Sequence, residues 1–567
     1  MGTARSNSCL MARFQEILMN HIFDEFKKGA RRAPDKVALW EDRRKGQFRR
    51  VTREELLRMS TAFQREFERS TEPDAMIPIY LERTAECVAA ILGAIAASRG
   101  FVPINRKLRG PQVECIVRLL ACPYVLSDAG GLTQLKPSLV AGSSLAAASW
   151  RLLASDGPPK AVRELPAALQ DELDISSFEL RAATGTRLDT TPGHGNHPAC
   201  CLFTSGSTGE PKGVLIEPAD LCRRVAAEVD WYRITENDVL LNLLPFTFDV
   251  GLNQLLSAIQ SGAPLVLLHS WMPVDVRRAC QTLGVTGISS VPGLWRDQID
   301  SGIRLTSGAE EANLRYITVS GGGLDPRSLE RLPGLVPGAG IYKTYGQTET
   351  FRSSSLHPDE YAAKPESVGR AFGSAKFHIV DDRMSPCAPF EEGEILHTGL
   401  GVMRGYLHGG HSGTKLIENP FVASGDPAKT AVRTGDFGYV DNEGFLFVRG
   451  RKDEMIKIQD NRVYPDEIAA QSVLVEGVCG AEVVGFRTPE GTTKLAAFLR
   501  VDRNSSLTPS GIRAELRKKL PSYMVPSVIE VCEAFPKTSN GKTDRQGLAR
   551  LAAELTFSLD AQSPGKV

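Results

Sequence analysis

Residues 202–214 read LFTSGSTGEPKGV and bring three glycines, four hydroxyl side chains and one lysine into thirteen positions. Glycine lets a backbone approach a ligand closely and turn through conformations closed to other residues. Thr204, Ser205, Ser207 and Thr208 supply hydroxyl donors, Gly206 and Gly209 supply the freedom to wrap, and Lys212 adds a cation. Donors and positive charge gathered in one loop suit the oxygens of a polyphosphate. The Walker spacing GxxxxGK[ST] is missing, because Lys212 follows Pro211 and precedes Gly213, so an ordinary P-loop is excluded. A surface turn is the alternative these residues leave open by themselves.

A loop of this kind needs rigid elements to hold it. ACCLFT at 199–204 reads as the strand that delivers it. VTREELLRMSTAFQREFERS at 51–70 has helical apolar spacing, and CVAAILGAIAASRGFVPIN at 87–105 reads as a buried helix running into a strand. Strand-like runs recur at LVLLHS (265–270) and YITVSG (316–321), so helices and strands alternate as in a layered α/β protein. Residues 129–199, rich in Gly, Ala, Ser and Pro, interrupt the pattern and read as a variable, partly irregular connection. Within them GHGNH (193–197) offers His194 and His197, which read as a turn rather than a metal site.

At 567 residues the chain is too long for one ordinary domain. Lys+Arg and Asp+Glu both total 67, so no basic excess exists to track nucleic acid or an anionic membrane. No apolar run approaches the roughly 18 to 20 residues of a membrane span. The first residues lack a signal-type apolar stretch with a cleavage site, so a cytoplasmic location is expected. Eleven cysteines without a CxxC spacing point to reduced thiols.

The 202–214 loop resembles the phosphate-binding loop of the acyl-adenylate-forming (AMP-binding) superfamily, which includes acyl-CoA synthetases, luciferases and nonribosomal peptide adenylation domains. Further motifs of that family follow in order. YGQTET (345–350) is similar to its adenine and magnesium motif, RTGDFGYV (433–440) to its ribose motif, GRKDEMIKIQDNRVYPDEI (450–468) to its hinge, and PKTSNGKTDR (536–545) to its C-terminal lysine motif. The resemblance spans about residue 30 to about residue 550. It implies an α/β fold with a large layered N-terminal core, residues 1–449, and a small mobile α+β lid, residues 454–567, joined by a hinge at 450–453.

It also implies a chemistry with ATP and Mg²⁺ as cofactors. A carboxylate attacks the α-phosphorus of ATP to give acyl-AMP and pyrophosphate, and a thiol then takes the acyl group. On this chain Tyr345 supplies an aromatic face for adenine, Glu349 a hard oxygen ligand for Mg²⁺, and Asp436 an acceptor for both ribose hydroxyls. Gly321, Gly322, Gly346, Thr348 and Arg451 complete the expected nucleotide site. Lys542 would put positive charge where carboxylate and α-phosphate meet. Asp453 matches the hinge residue, and Lys457 lies on the face turned inward for thioester formation. Asp460 stands where the family usually has glycine; either its charge would disfavour a phosphate-bearing CoA passing nearby, or it is a solvated loop position.

LPFTFDVGLNQL (244–255) resembles the acyl-pocket motif, in which the aspartate of amino-acid-activating members meets the substrate ammonium. Phe248 and Asp249 fit it, and Val250, Asn253, Gly293, Ile317, Val319, Thr344, Arg352 and Ser353 align with the pocket wall. Some acyl-CoA ligases are similar here, and a buried Asp249 carboxylate either meets a cationic substrate or satisfies itself on nearby backbone donors. An arginine in a pocket pairs with a carboxylate. For Arg352 that carboxylate is either the substrate's, which then resembles an aspartate-like α- or β-amino acid, or a protein acid at the rim. GGHSG (409–413) mimics a carrier-domain serine motif but lies inside the adenylating core, so Ser412 is not an attachment site. The thiol therefore arrives on a separate carrier protein or on CoA. Three functions stay open: an amino-acid adenylation enzyme serving a carrier protein, a CoA ligase for an unaminated acid, and a nucleotide-binding homologue without turnover.

Overall fold

The computed structural model describes residues 22–43, 46–122, 124–135, 138, 144, 148–153, 175–178, 197–205, 211–305, 313–409, 415–422, 428–452, 455–458, 461–488, 492–502, 505–538 and 543–561. Gly206, Ser207, Thr208, Gly209, Asp453, Asp460, Lys542, Ser412 and His194 lie outside them, as do the side chains of Ser205 and Lys457.

Helix Arg53–Ser70 starts where Thr52 caps it, its hydroxyl accepting the Glu55 N–H at 3.1 Å. Glu54 and Glu55 in the first turn suit the positive end of the helix dipole. Leu56, Met59, Phe63 and Phe67 form its buried stripe and pack against helix Ala85–Ala96, which is buried along its whole length. Close packing of the two depends on Gly93, since a Cβ there would lie 2.4 Å from Phe63 Cβ.

Among the described residues the strands up to Arg451 form three sheets. In the nine-stranded sheet, strands Tyr316–Ser320, Gly287–Ser290, Leu240–Asn242 and Leu265–Leu267 run parallel in its centre, and Gly340–Tyr345 lies parallel beside Tyr316–Ser320. The eight-stranded sheet carries Met76–Tyr80, Gly100–Pro103 and Tyr124–Asp128 in parallel, then Cys200–Ser205 and its antiparallel partner Pro211–Ile216. Leu39, Leu240 and Leu265 of the first sheet and Ile77, Phe101 and Leu202 of the second belong to one continuous core, with the helices between them. Parallel strands covered on both faces read as near-continuous apolar runs, which is why Gly100–Pro103, Leu265–Leu267 and Tyr316–Ser320 were legible. The third sheet is five-stranded and antiparallel, and includes Gly393–Gly399, Thr430–Val440 and Leu446–Arg451.

Beyond it the sheets are separate. Ile456–Ile458 pairs with Asn461–Val463, and Val478–Arg487, Thr493–Val501 and Val528–Val531 form a three-stranded sheet. Their cores draw only on residues 456–552. The chain is thus a large α/β domain followed by a small α+β domain.

One expectation needs correction. The segment 129–199 is not merely an irregular connection: it contains helix Ala129–Leu135, and strands Ser149–Leu153 and Ile175–Phe178 extend the eight-stranded sheet in parallel. Both strands are short, SWRLL and ISSF, and the Gly, Ala, Ser and Pro around them read as loop. Among the described residues, no helix is long and apolar enough to cross a membrane, and ten free cysteines are present.

Candidate functional site

Strands Cys200–Ser205 and Pro211–Ile216 pair antiparallel up to Ser205 opposite Pro211, so the phosphate-type loop is the tip of a hairpin. Thr204 stands opposite Lys212, and its hydroxyl donates to the Lys212 carbonyl at 3.5 Å.

The parallel strands Tyr316–Ser320 and Gly340–Tyr345 end side by side, and binding residues in such sheets gather at carboxyl ends. Gly321 follows the first strand with φ +78°, and Gly322 backs onto Pro292. After Tyr345 the chain makes a tight turn through Gly346, Gln347, Thr348 and Glu349. The Gln347 N–H donates to Thr350 Oγ1 at 2.9 Å, and the Ser353 N–H returns to the Tyr345 carbonyl at 2.8 Å. Only glycine fits at 346, where a Cβ would meet the Phe351 carbonyl oxygen at 1.9 Å.

Strand Thr430–Val440 brings Asp436 to this turn. Tyr345 Oη donates to Asp436 Oδ2 at 2.7 Å, Gln347 Nε2 donates to the same oxygen at 2.8 Å and to the Thr434 carbonyl at 2.9 Å, and Arg451 Nη1 lies 3.7 Å from Oδ1. Burial raises the pKa of the Asp436 carboxyl, opposed by Tyr345, Arg451, Gln347 and Lys415. Asp436, Tyr345 and Arg451 are therefore brought together as expected. Gln347 is wired by its carboxamide, which a proline at that position could not reproduce.

Glu349 is buried and accepts the Tyr406 hydroxyl at 2.6 Å on Oε1, with Lys415 Nζ 3.3 Å from that oxygen. Burial pushes its pKa up, but Lys415 and Tyr406 outweigh it and hold the carboxylate below its ordinary range. An ionised carboxylate whose partner Tyr406 pairs with strand Pro211–Ile216 is of a kind that fits Mg²⁺, which takes one or two carboxylates and completes its shell with phosphates. Tyr406 belongs to this site because strand Gly405–Tyr406 pairs with Pro211–Ile216. Tyr406 and Lys415 escaped the reading of the sequence, although both lie close to GGHSG (409–413), on either side of it.

The residues expected to line an acyl pocket sort by strand and helix geometry. Asp249 opens helix Asp249–Ser261, where the helix dipole favours a carboxylate, and its Oδ1 accepts the Val250 N–H at 2.9 Å. Phe248 and Val250 pack with Leu244, Val291 and Leu294 into an apolar wall. One turn on, Asn253 Nδ2 donates to the Asp249 carbonyl at 2.8 Å, while its buried Oδ1 has no partner among the described residues. Arg352 resolves to the second of its two readings. Its Nε donates to Glu228 Oε1 at 2.9 Å and its Nη2 to the same oxygen, while Nη1 donates to Thr344 Oγ1 at 2.9 Å and Ser320 Oγ at 3.3 Å. Both charged side chains are 3% exposed. Ser353 is buried beside it, its Oγ 3.5 Å from Thr350 Oγ1.

Ile317 and Val319 are corrected. They belong to the core behind the sheet with Trp295 and Leu332, whereas Thr318 and Ser320, alternating with them, stand on the face with Thr344 and Arg352. A one-residue offset reverses every side chain of a strand. Glu228 was also missed, since a glutamate on an amphipathic helix ordinarily reads as surface.

The small domain reaches this region through charged contacts. Arg296 Nη1 donates to the buried Glu482 at 2.9 Å, Thr543 Oγ1 donates to the same oxygen at 2.8 Å, and Lys537 pairs with Asp297. Lys537 Nζ also lies 3.5 Å from the Gly293 carbonyl, and Lys537 and Thr543, which precede and follow Lys542 in the sequence, form a β-bridge.

A family model described as AMP-binding enzyme matches residues 26–407, and one described as AMP-binding enzyme C-terminal domain matches residues 467–542. The dimodular nonribosomal peptide synthase of Bacillus subtilis is 25% identical over 554 residues, covering 95% of this chain but 21% of that protein. The chain thus spans about a fifth of that relative's length. ATP-bound MatB from Rhodopseudomonas palustris superposes with a TM-score of 0.77 at 19% identity, over 95% of this chain and 99% of that one. Klebsiella oxytoca NpsA in complex with 3-hydroxyanthranilyl-AMSN gives 0.74 at 23% identity, over 94% and 99%. At these identities the superpositions speak for the fold. The two family models, in order and covering most of the chain, place it among the AMP-binding enzymes, the ligases that form acyl-adenylates.

Proposed function

We propose that this chain activates an amino acid, α or β, with ATP and passes the aminoacyl group to the phosphopantetheine thiol of a separate carrier protein in the cytoplasm. In the first step a substrate carboxylate oxygen bonds to the α-phosphorus, the bond to the β-phosphate oxygen breaks, and pyrophosphate leaves. In the second the thiol sulfur bonds to the acyl carbon and AMP leaves.

The observation that carries the amino-acid reading is the pair of acceptors on helix Asp249–Ser261. Asp249 offers a carboxylate and Asn253 a buried Oδ1 with no partner among the described residues, one turn apart. A buried acceptor without a donor costs about 1–3 kcal/mol, which a substrate ammonium would offset. The Arg352 guanidinium is already neutralised by Glu228, so nothing in it asks for a second carboxylate on the substrate.

Tyr345 would stack on adenine, Asp436 accept from the ribose, and the 204–212 hairpin with Lys212 hold the phosphates. Glu349 would hold Mg²⁺, whose contribution is neutralisation of phosphate charge. Lys542 would stabilise the charge that builds up during transfer. Residues 450–453 would serve as a hinge with Asp453 at its pivot, and Lys457 would face inward for the thiol step. Supporting a break there, strand Leu446–Arg451 pairs back into the five-stranded sheet while Ile456–Ile458 opens a separate one.

The test is pyrophosphate release across α-amino acids, β-amino acids and matched acids lacking the amine, followed by acyl transfer to carrier protein or CoA. Release confined to aminated acids, with loading of the carrier, is expected. Equal release with unaminated acids and production of acyl-CoA would replace this reading with a CoA ligase.

A further inference from the structure

Lys415 occupies a position that the nucleotide chemistry so far described does not use. Its Nζ lies 3.1 Å from Gln347 Oε1 and 3.3 Å from Glu349 Oε1. Gln347 turns its other end to Asp436, so a continuous chain of polar contacts runs from the ribose acceptor through Gln347 and Lys415 to Glu349 and Tyr406. The next residue, Leu416, packs on Val214, Met403 and Tyr406, and Val214 lies on the strand returning from the phosphate hairpin. Strand Leu416–Glu418 also pairs with Thr430–Val440, the strand that carries Asp436. Lys415 is thus tied on one side to the phosphate hairpin and on the other to the ribose strand. On the adenylation reading, the stretch of nucleotide between ribose and terminal phosphates would pass in front of it.

We propose that Lys415 is a polyphosphate-binding residue, held on Glu349 and Gln347 before nucleotide binds and moving onto the phosphates of ATP when the nucleotide arrives. This rests on the adenylation reading above. The physical reason is a sequence of charge partners. Without nucleotide, the buried Glu349 carboxylate needs a cation, and Lys415 supplies it beside the Tyr406 hydroxyl. With nucleotide, a divalent cation at Glu349 would take over that role and repel an ammonium about 3 Å from the same oxygen. Four phosphate charges then offer the displaced ammonium a stronger partner. Lys415 keeps a quarter of its side chain exposed and sits on a four-carbon stem, so the move needs only rotamer changes. Among the described residues Glu349 is the carboxylate within salt-bridge reach of Lys415, and Asp436 feels its charge from farther off.

The test is direct binding to purified full-length chain, by calorimetry, of ATP, pyrophosphate and AMP, with and without Mg²⁺ and with no acid substrate present. Lys415→Met is expected to weaken ATP and pyrophosphate by roughly 10- to 100-fold, the worth of one charge-assisted hydrogen bond, and AMP by less than about threefold. Lys415→Arg keeps the cation and should recover most of the ATP affinity. Equal weakening of AMP and ATP would assign Lys415 to holding Gln347 and Asp436 in place, and overturn the proposal. Unchanged ATP binding in Lys415→Met would overturn it as well, while leaving adenylation intact. Failure of the wild type itself to bind ATP would instead sink the adenylation reading together with this one. If Lys415→Met does not fold, Lys415→Gln provides the same loss of charge at nearly constant length.

Discussion

Glu228→Gln should expose how the buried site around Arg352 handles charge. Glu228 and Arg352 are each 3% exposed, and two guanidinium N–H groups converge on Glu228 Oε1, one at 2.9 Å. Its Oε2 accepts Ser257 Oγ at 3.0 Å. Removing one partner of a buried pair strands the other and costs about 3–5 kcal/mol. Glutamine keeps the volume and an acceptor, and Thr344 and Ser320 still hold Nη1, so the lower end, about 3 kcal/mol, is expected. A double-mutant cycle with Arg352→Met should return a coupling of about 2 kcal/mol or more, against at most about 1 kcal/mol for an exposed pair. Urea unfolding followed by tryptophan fluorescence suits the measurement, because Trp231 lies on the same helix as Glu228 and reports the region directly. The second readout is selectivity. Freed from Glu228, the guanidinium in Glu228→Gln should accept amino acids bearing a side-chain carboxylate better than wild type does, and the double variant should lose that gain. A coupling below about 1 kcal/mol would refute the reasoning. So would a wild type that already prefers aspartate-like acids and loses that preference in Arg352→Met.

Two further predictions concern the turn and the fold around it. Gly346→Ala places a Cβ 1.9 Å from the Phe351 carbonyl, so the turn must open and shift Glu349, Arg352 and Ser353; kcat/KM for ATP in pyrophosphate exchange should fall by more than about tenfold, and near wild-type activity would contradict the tight turn. His397 is fully buried, and burial lowers its pKa to about 4, against 6.5 unperturbed, although Nε2 donates to the Leu400 carbonyl at 2.7 Å. Between those values the unfolded chain binds the proton and the native one does not. Stability should therefore rise with pH through the window and be lost, by roughly 3 kcal/mol, as pH falls from 6.5 to about 4. Thermal midpoints of wild type and His397→Gln across this window should converge toward its acid end, and parallel curves would exclude His397 as the source.

Much of the fold was legible because its central strands are covered on both faces and its helices carry long apolar stripes. Arg53–Ser70 and Ala85–Ala96 follow from spacing and capping residues alone. The edge strands in 129–199 were not, since SWRLL and ISSF are four or five residues long and lie within a stretch rich in Gly, Ala, Ser and Pro. Within the site, Tyr345, Glu349 and Asp436 could be named from motif residues, and the structure brings Tyr345 to Asp436 and sets Glu349 two residues beyond Gln347. Ile317 and Val319 were misassigned because an alignment offset of one residue looks trivial along the chain and reverses the face in a strand.

Residue types and order by themselves determined the family and named the hydroxyl-and-lysine loop and the carboxylates proposed to meet a nucleotide, because such chemistry needs particular atoms at short spacing. Only the tertiary structure decided who partners whom. Arg352 meets Glu228 across 124 positions of sequence, and Lys415 meets Glu349 across 66. A buried charge takes its partner from whatever the packed core brings within hydrogen-bond reach, and sequence distance carries no information about that.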